Sequence, residues 1–345
     1  MIMSETTKCP MYEAKDYKSD QYVRWCPGCG DHAVVVTLQK AMAEIGIPPH
    51  QTAVISGIGC SSRLPYYMNT YGFHTIHGRG AAIATGVKTA NPELSVWLAS
   101  GDGDSLAIGG NHFIHAVRRN IDINAVLFNN RIYGLTKGQY SPTSARGFVS
   151  KSSPYGTVED PFIPAELVLG ARGNFFARAI DVDMKTLQEC FVASARHRGF
   201  AITEVLVNCV IFNDGTHKNR SHKDIRADRT ITLRHGEKMI FGANRDKGIV
   251  LEGLKLRAVT IGEDGYILDD VLVHDKYEQD VTLHHLLAMM GYMDDSMPIA
   301  LGVIRDVEAP CYDRAVEAQI EEIQQKNPIR KLHDLLIQGD VWEIK

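Results

Sequence analysis

Between residues 31 and 207 the sequence alternates helix-like and strand-like segments, and this alternation limits the fold more than any other feature. Runs rich in Val, Ile and Leu at 52–58, 94–100, 123–128 and 200–207, with another near Asn174, read as buried strands. Segments 80–90, 105–119 and 184–198 carry helical patterns between them. A first helix ends at Gly46 and Pro48, with Asp31 as its expected cap. Buried strands separated by helices indicate βαβ units. The expected class is therefore α/β: a doubly wound, mostly parallel sheet with helices on both faces. The 345 residues allow one large domain or two ordinary ones. Residues 1–213 form the first expected unit. Residues 214–345 form a mixed C-terminal extension, with a helix at 313–325. At its start HKNRSHKDIRADR (217–229) reads as a solvated, basic surface linker.

Composition narrows the function. The net charge of −4 gives no strongly basic face, which argues against nucleic acid. No apolar run approaches about 18 residues, so no membrane span is expected. The first ten residues, MIMSETTKCP, lack a secretory pattern, and DVWEIK carries no lipidation motif. A cytoplasmic location is the expectation. Seven cysteines in a reducing compartment point to metal binding or catalysis rather than disulfides.

Gly101-Asp102-Gly103 follows one expected strand, and Asn129-Asn130 ends the next. In a parallel sheet both loops emerge on the rim outside the carboxyl ends of the strands, where ligands bind. Asp102, the amide of Asn130 and the Ile132 carbonyl would supply hard oxygen ligands to Mg²⁺ on a diphosphate. Gly101 and Gly103 allow close backbone approach. A helix starting near Ser105 would aim its amides at the same place. GDG and NN one strand–helix–strand unit apart resemble the thiamin-diphosphate motif. Neither GxGxxG nor GxxxxGK[ST] is present to support a nucleotide reading.

The stretch RWCPGCGD places Cys26 and Cys29 three positions apart on a Gly- and Pro-bounded loop. Cys60 and Cys209 each follow an expected strand, and so lie on the rim that carries Asp102 and Asn130. Four such thiolates hold either zinc or an iron–sulfur cluster. One pair plus two distant single cysteines favours a [4Fe–4S] cluster over the paired spacing usual for zinc. Cys190 reads as a core residue, and Cys9 and Cys311 have no ligand context.

Together WCPGCGD, SGIGCSS, HTIHGRGAAIATG, GDGD and NNRIYGLTKGQYSPTS resemble the β subunit of 2-oxoacid:ferredoxin oxidoreductases. The resemblance covers residues 25–144, with Cys209 added. It implies thiamin diphosphate, Mg²⁺, a [4Fe–4S] cluster, coenzyme A as acyl acceptor and ferredoxin as electron partner. By position it places Gly59, Ser61, His77, Gly101, Gly103, Asp104, Tyr133, Gly134, Leu135 and Thr136 around the cofactor. His77, Thr136 and Lys137 are the expected catalytic residues.

No glutamate stands in a recognisable thiamin-activating motif. The family supplies one from an α subunit, so the isolated chain is expected to be inactive. Lys137 in GLTKGQ, or Arg63, could pair with a second substrate carboxylate. Pyruvate-specific relatives often carry glycine at the Lys137 position. The expected reaction is thus oxidative decarboxylation of 2-oxoglutarate, or the reverse carboxylation of succinyl-CoA. Three alternatives remain at this stage: the same chemistry on pyruvate, a non-redox thiamin-dependent decarboxylase or carboligase, and a zinc-stabilised binding module.

Overall fold

Two hydrophobic cores lie on the two faces of one eight-stranded sheet. The computed structural model describes residues 12–326 and 331–344. MIMSETTKCP, with Cys9, and the last residue of DVWEIK lie outside them.

The strands in chain order are β1 (Thr52–Ser56), β2 (Tyr71–His74), β3 (Ser95–Gly101), β4 (Asn124–Asn129), β5 (Phe175–Ile180), β6 (Ala201–Leu206), β7 (Thr230–Leu233), β8 (Ile240–Phe241), β9 (Lys247–Glu252), β10 (Lys255–Thr260) and β11 (Ile299–Asp306). In space the main sheet runs β2-β1-β3-β4-β6-β5-β11-β7. The first six positions are parallel, as expected for βαβ units. β11 runs antiparallel to β5, and β7 runs parallel to β11. Residues beyond 213 thus extend the same sheet, while β8, β9 and β10 form a small antiparallel sheet of their own.

β1, β3, β4, β5 and β6 are mostly apolar and buried on both faces, as parallel strands between helical layers must be. Helices Asp31–Ile45 and Met184–Arg196 cover one face through Val34, Leu38, Leu187 and Phe191. Helices Gly80–Ala90, Gly110–Arg119, Pro164–Gly170 and Thr282–Met289 cover the other.

Two local expectations need correction, and one strand, β2, was not expected. The helix expected over 105–119 is two helices, Asp102–Leu106 and Gly110–Arg119. The loop after β2 crosses at this break. A Cβ on Gly78 would come within 2.6 Å of Gly109 N, so both backbones need the space. Strand β2 carries no apolar run, because every residue in it is exposed at the sheet edge. The basic segment 217–229 is largely solvated, as expected, but it is anchored at two points. His217 and Arg220 are buried, and His217 Nε2 lies 2.8 Å from the Asn129 carbonyl. No helix among the described residues is long and apolar enough to cross a membrane.

Candidate active site

β1, β3, β4 and β6 are neighbours in the sheet, so the loops that follow them leave one rim side by side. Those loops carry Cys60, Asp102, Asn130 and Cys209. Between them is a cavity of about 170 Å³. All of the residues expected to contact the cofactor, from Gly59 and Ser61 through to Thr136, line it, as do Cys60, Asp102, Asn130 and Ile132. A larger open hollow of about 920 Å³ runs along the helix Met184–Arg196, but none of the motif residues reaches it.

Asp102 opens the five-residue helix and is buried. Ser141 and Thr143 both donate hydroxyl hydrogen bonds of 2.5 Å to its Oδ2. Burial pushes its carboxyl up to about 6, against the pull of those two hydroxyls. Asn130 Oδ1 accepts the Ile132 N–H at 3.1 Å, which fixes the amide over the loop. One carboxylate, one amide oxygen and one backbone carbonyl could supply the hard, low-charge donors that Mg²⁺ takes when phosphates complete its shell.

Asp104 also lines the cavity, but its carboxylate is fully engaged. It accepts from Ile58 N (3.1 Å), Gly78 N (2.7 Å) and Ser100 Oγ (2.6 Å), and His77 Nδ1 lies 2.6 Å away. It therefore ties together the loops after β1, β2 and β3. Tyr133 donates its hydroxyl to the Gly103 carbonyl at 2.9 Å. A Cβ on Gly103 would lie 2.2 Å from that ring, so only glycine allows the tyrosine to close over the loop.

Cys60 Sγ and Cys209 Sγ approach one point above Gly134: a Cβ there would lie 3.5 Å from the first and 3.7 Å from the second. Cys26 and Cys29 join them. The Gly30 N–H donates to the Asn208 carbonyl at 3.1 Å, pinning the CPGC loop beside the end of β6, and Trp25 Nε1 donates to the Cys60 carbonyl at 2.7 Å. Burial pushes the Cys60 thiol up to about 12 and Cys29 higher still, each also raised by neighbouring members of the set. A metal binding here would displace the protons of these thiols. Among the described residues, no three His, Cys, Asp or Glu side chains stand close enough for one metal ion. Four cysteine sulfurs are the donor set of a zinc site or of an iron–sulfur cluster.

Not every candidate comes to the cavity. Lys137 is exposed, with φ of 79°, and the lining stops at Thr136. Arg63 faces a separate groove with Arg24 and Tyr66. Cys190 is buried in the core, and Cys311 stands beside Asn120. Conversely, Asp31, Ile58 and Phe128 line the cavity without having been expected there. Ile58 and Phe128 sit in apolar runs that read simply as strand. Asp31 read as a helix cap, yet Gly30 occupies that position.

Residues 57–205 match the family described as thiamine pyrophosphate enzyme, C-terminal TPP binding domain. A 2-oxoglutarate oxidoreductase subunit KorB of Mycobacterium tuberculosis is 45% identical over 342 residues, 98% of this chain and 90% of that protein. This chain belongs to the β subunits of the 2-oxoacid:ferredoxin oxidoreductases. A 2-oxoglutarate synthase subunit KorB of Archaeoglobus fulgidus is 45% identical over 185 residues, 54% of this chain and 69% of that one. The fold of this β subunit also matches a solved 2-oxoglutarate:ferredoxin oxidoreductase from Magnetococcus marinus, whose structure holds 2-oxoglutarate, coenzyme A and succinyl-CoA. The TM-score is 0.77 at 31% identity, over 97% of this chain and 98% of that one. As a β subunit of this family the chain is part of an oxidoreductase and has an α-subunit partner.

Proposed function

We propose that this β subunit holds thiamin diphosphate with Mg²⁺ beside a [4Fe–4S] cluster. With its α subunit it carries out the CoA-dependent oxidative decarboxylation of 2-oxoglutarate, or the reverse carboxylation of succinyl-CoA, with ferredoxin as electron partner. The observation that carries this reading is the meeting of four cysteine-bearing segments with the Asp102 and Asn130 loops at one edge of the sheet. The choice of 2-oxoglutarate rests on the relatives named for it.

When bound, thiamin diphosphate supplies a carbon nucleophile for the 2-oxoacid, and the cluster accepts single electrons. The protein places both. Ser141 and Thr143 hold Asp102 Oδ2, which leaves Oδ1 as the oxygen for Mg²⁺; Asn130 Oδ1 and the Ile132 carbonyl complete the protein's share. Asp104 fixes His77 through Nδ1, so Nε2 is the nitrogen that can serve the cofactor. Cys26, Cys29, Cys60 and Cys209 hold the cluster.

The second wall comes from the α subunit. The cavity is smaller than the roughly 300–1,000 Å³ usual for ligand sites, and no glutamate lines it. Exposed Ile76, Ile108, Leu135 and Ile211 flank it, an apolar rim suited to a protein partner.

The test is to co-express the chain with its α subunit, purify the complex without oxygen, and follow viologen reduction with a panel of 2-oxoacids. The expected complex is brown, needs CoA and turns over 2-oxoglutarate fastest, while the chain alone is inactive. A colourless preparation containing one zinc, or full turnover by the chain alone, overturns the reading.

A further inference from the structure

Asn213 touches both halves of the proposed site. It lies on the segment that follows β6, shortly after Cys209. Its Nδ2 donates to the Asn130 carbonyl and to the Arg131 carbonyl, each at 3.1 Å. Its backbone N–H donates to the Cys209 carbonyl, also at 3.1 Å. The same residue therefore holds the backbone of a proposed Mg²⁺ ligand and that of a proposed cluster ligand.

The turn that Asn213 grips needs holding. Arg131 stands between Asn130 and Ile132 with φ of 56°, a left-handed conformation that residues other than glycine rarely adopt. Such a conformation persists where the surrounding structure fixes it. The Arg131 carbonyl accepts from Ser144 Oγ at 2.7 Å as well as from Asn213. Ser144 comes from the same connection as Arg131, whereas Asn213 comes from the cysteine-bearing segment. The rest of that segment follows the same loop. A Cβ on Gly138 would come within 2.9 Å of the Phe212 ring, and His217 Nε2 lies 2.8 Å from the Asn129 carbonyl.

Building on the cofactor and cluster assignments above, we propose that Asn213 is a positioning residue that couples the two sites: it passes the fixing of Cys209 by the cluster to the Asn130–Ile132 turn, so that the cofactor and the cluster each strengthen the binding of the other. No bond forms or breaks at Asn213. A cluster-held Cys209 fixes the carbonyl to which the Asn213 N–H is bonded. The Asn213 amide is then held against both carbonyls of the turn. A turn that is already ordered loses less freedom when Mg²⁺ and the diphosphate bind to it. By linkage the effect is reciprocal.

The experiment is a calorimetric titration of Mg²⁺ and thiamin diphosphate into the oxygen-free αβ complex, before and after its iron is stripped. The wild type should bind about tenfold more tightly with its cluster than without it. Asn213→Ala, with its iron content unchanged, should show less than about a twofold difference. Asn208→Ala is the control, because that side chain braces the same segment through Asp214 and the Gly215 N–H without reaching the turn. It should keep the wild-type ratio. A wild-type ratio in N213A, no difference in the wild type, or an equal loss in N208A overturns the inference and leaves the proposed function standing. A wild-type complex purified without iron overturns the proposed function itself. If N213A does not retain its iron, Asn213→Ser is titrated instead: a reduced ratio supports the inference, and an unchanged ratio or loss of iron from both variants overturns it.

Discussion

Arg178 and Glu204 form a 2.6 Å ion pair sealed inside the sheet, with no solvent exposure on either side chain. Glu204 Oε1 accepts from Asn129 Nδ2 at 2.7 Å, and Asn129 Oδ1 lies 3.0 Å from Thr143, which binds Asp102. On the other side Arg178 donates to the carbonyls of Ala288 and Ala300. One polar network therefore joins the proposed metal ligand to the C-terminal extension.

Breaking that pair from one side should be severe. Arg178→Met leaves the buried Glu204 carboxyl without its cation, at a cost of about 3–5 kcal/mol. Urea denaturation should show the loss. Affinity for thiamin diphosphate should fall with it, because Glu204, no longer held by Arg178, fixes Asn129 less firmly.

Gly103→Ala tests the closure of Tyr133. The added methyl meets the ring, and the tyrosine must leave the Gly103 carbonyl. Calorimetric titration with Mg²⁺ and thiamin diphosphate should show binding weakened by at least about tenfold, or about 1.4 kcal/mol. Unchanged affinity would mean that the tyrosine has no part in the site.

The cysteine assignment separates cleanly by colour. Cys209→Ser should give an oxygen-free complex with little visible absorbance and little iron. Cys190→Ser, in the core, should stay brown. Iron analysis of the two variants checks both outcomes.

His274 makes the extension sensitive to acid. Burial is the main cause that holds its imidazole down to about 4 from 6.5, and the His284 ring adds to it. Between those values the unfolded chain takes up the proton more readily. The stability His274 contributes above pH 6.5 is thus lost as the pH falls towards 4. Thermal melts across that window should be flatter for His274→Gln than for the wild type.

Lys137 tests substrate choice. It stands exposed just beyond the end of the cavity lining, on a left-handed turn. Lys137→Ala should raise KM for 2-oxoglutarate by about tenfold, the scale of one charge-assisted contact, and leave pyruvate unaffected. Equal changes for both acids would remove the residue from specificity.

The gathering of the candidate residues was legible because they come as strand-end motifs, and a parallel sheet sends every strand end to one rim. Asp102, Asn130, Cys60 and Cys209 needed only that rule to be brought together. Other features obeyed longer-range constraints. The break between Leu106 and Gly110 depends on Gly78, which arrives from another loop. His217 and Arg220 read as solvated because nothing local reveals the Asn129 carbonyl, or the Gly291 carbonyl that receives Arg220. Asp31 satisfied a helix-start pattern so well that its neighbours across the cavity could not be guessed.

The pairing of β11 with β5 has a practical consequence for anyone trimming this protein. A fragment ending near residue 213 would retain every motif named above, yet would bare the flank of β5 along its length. A raw, flat flank of that kind invites other chains to add strands to it. The last third of the molecule therefore shields the catalytic portion from self-association.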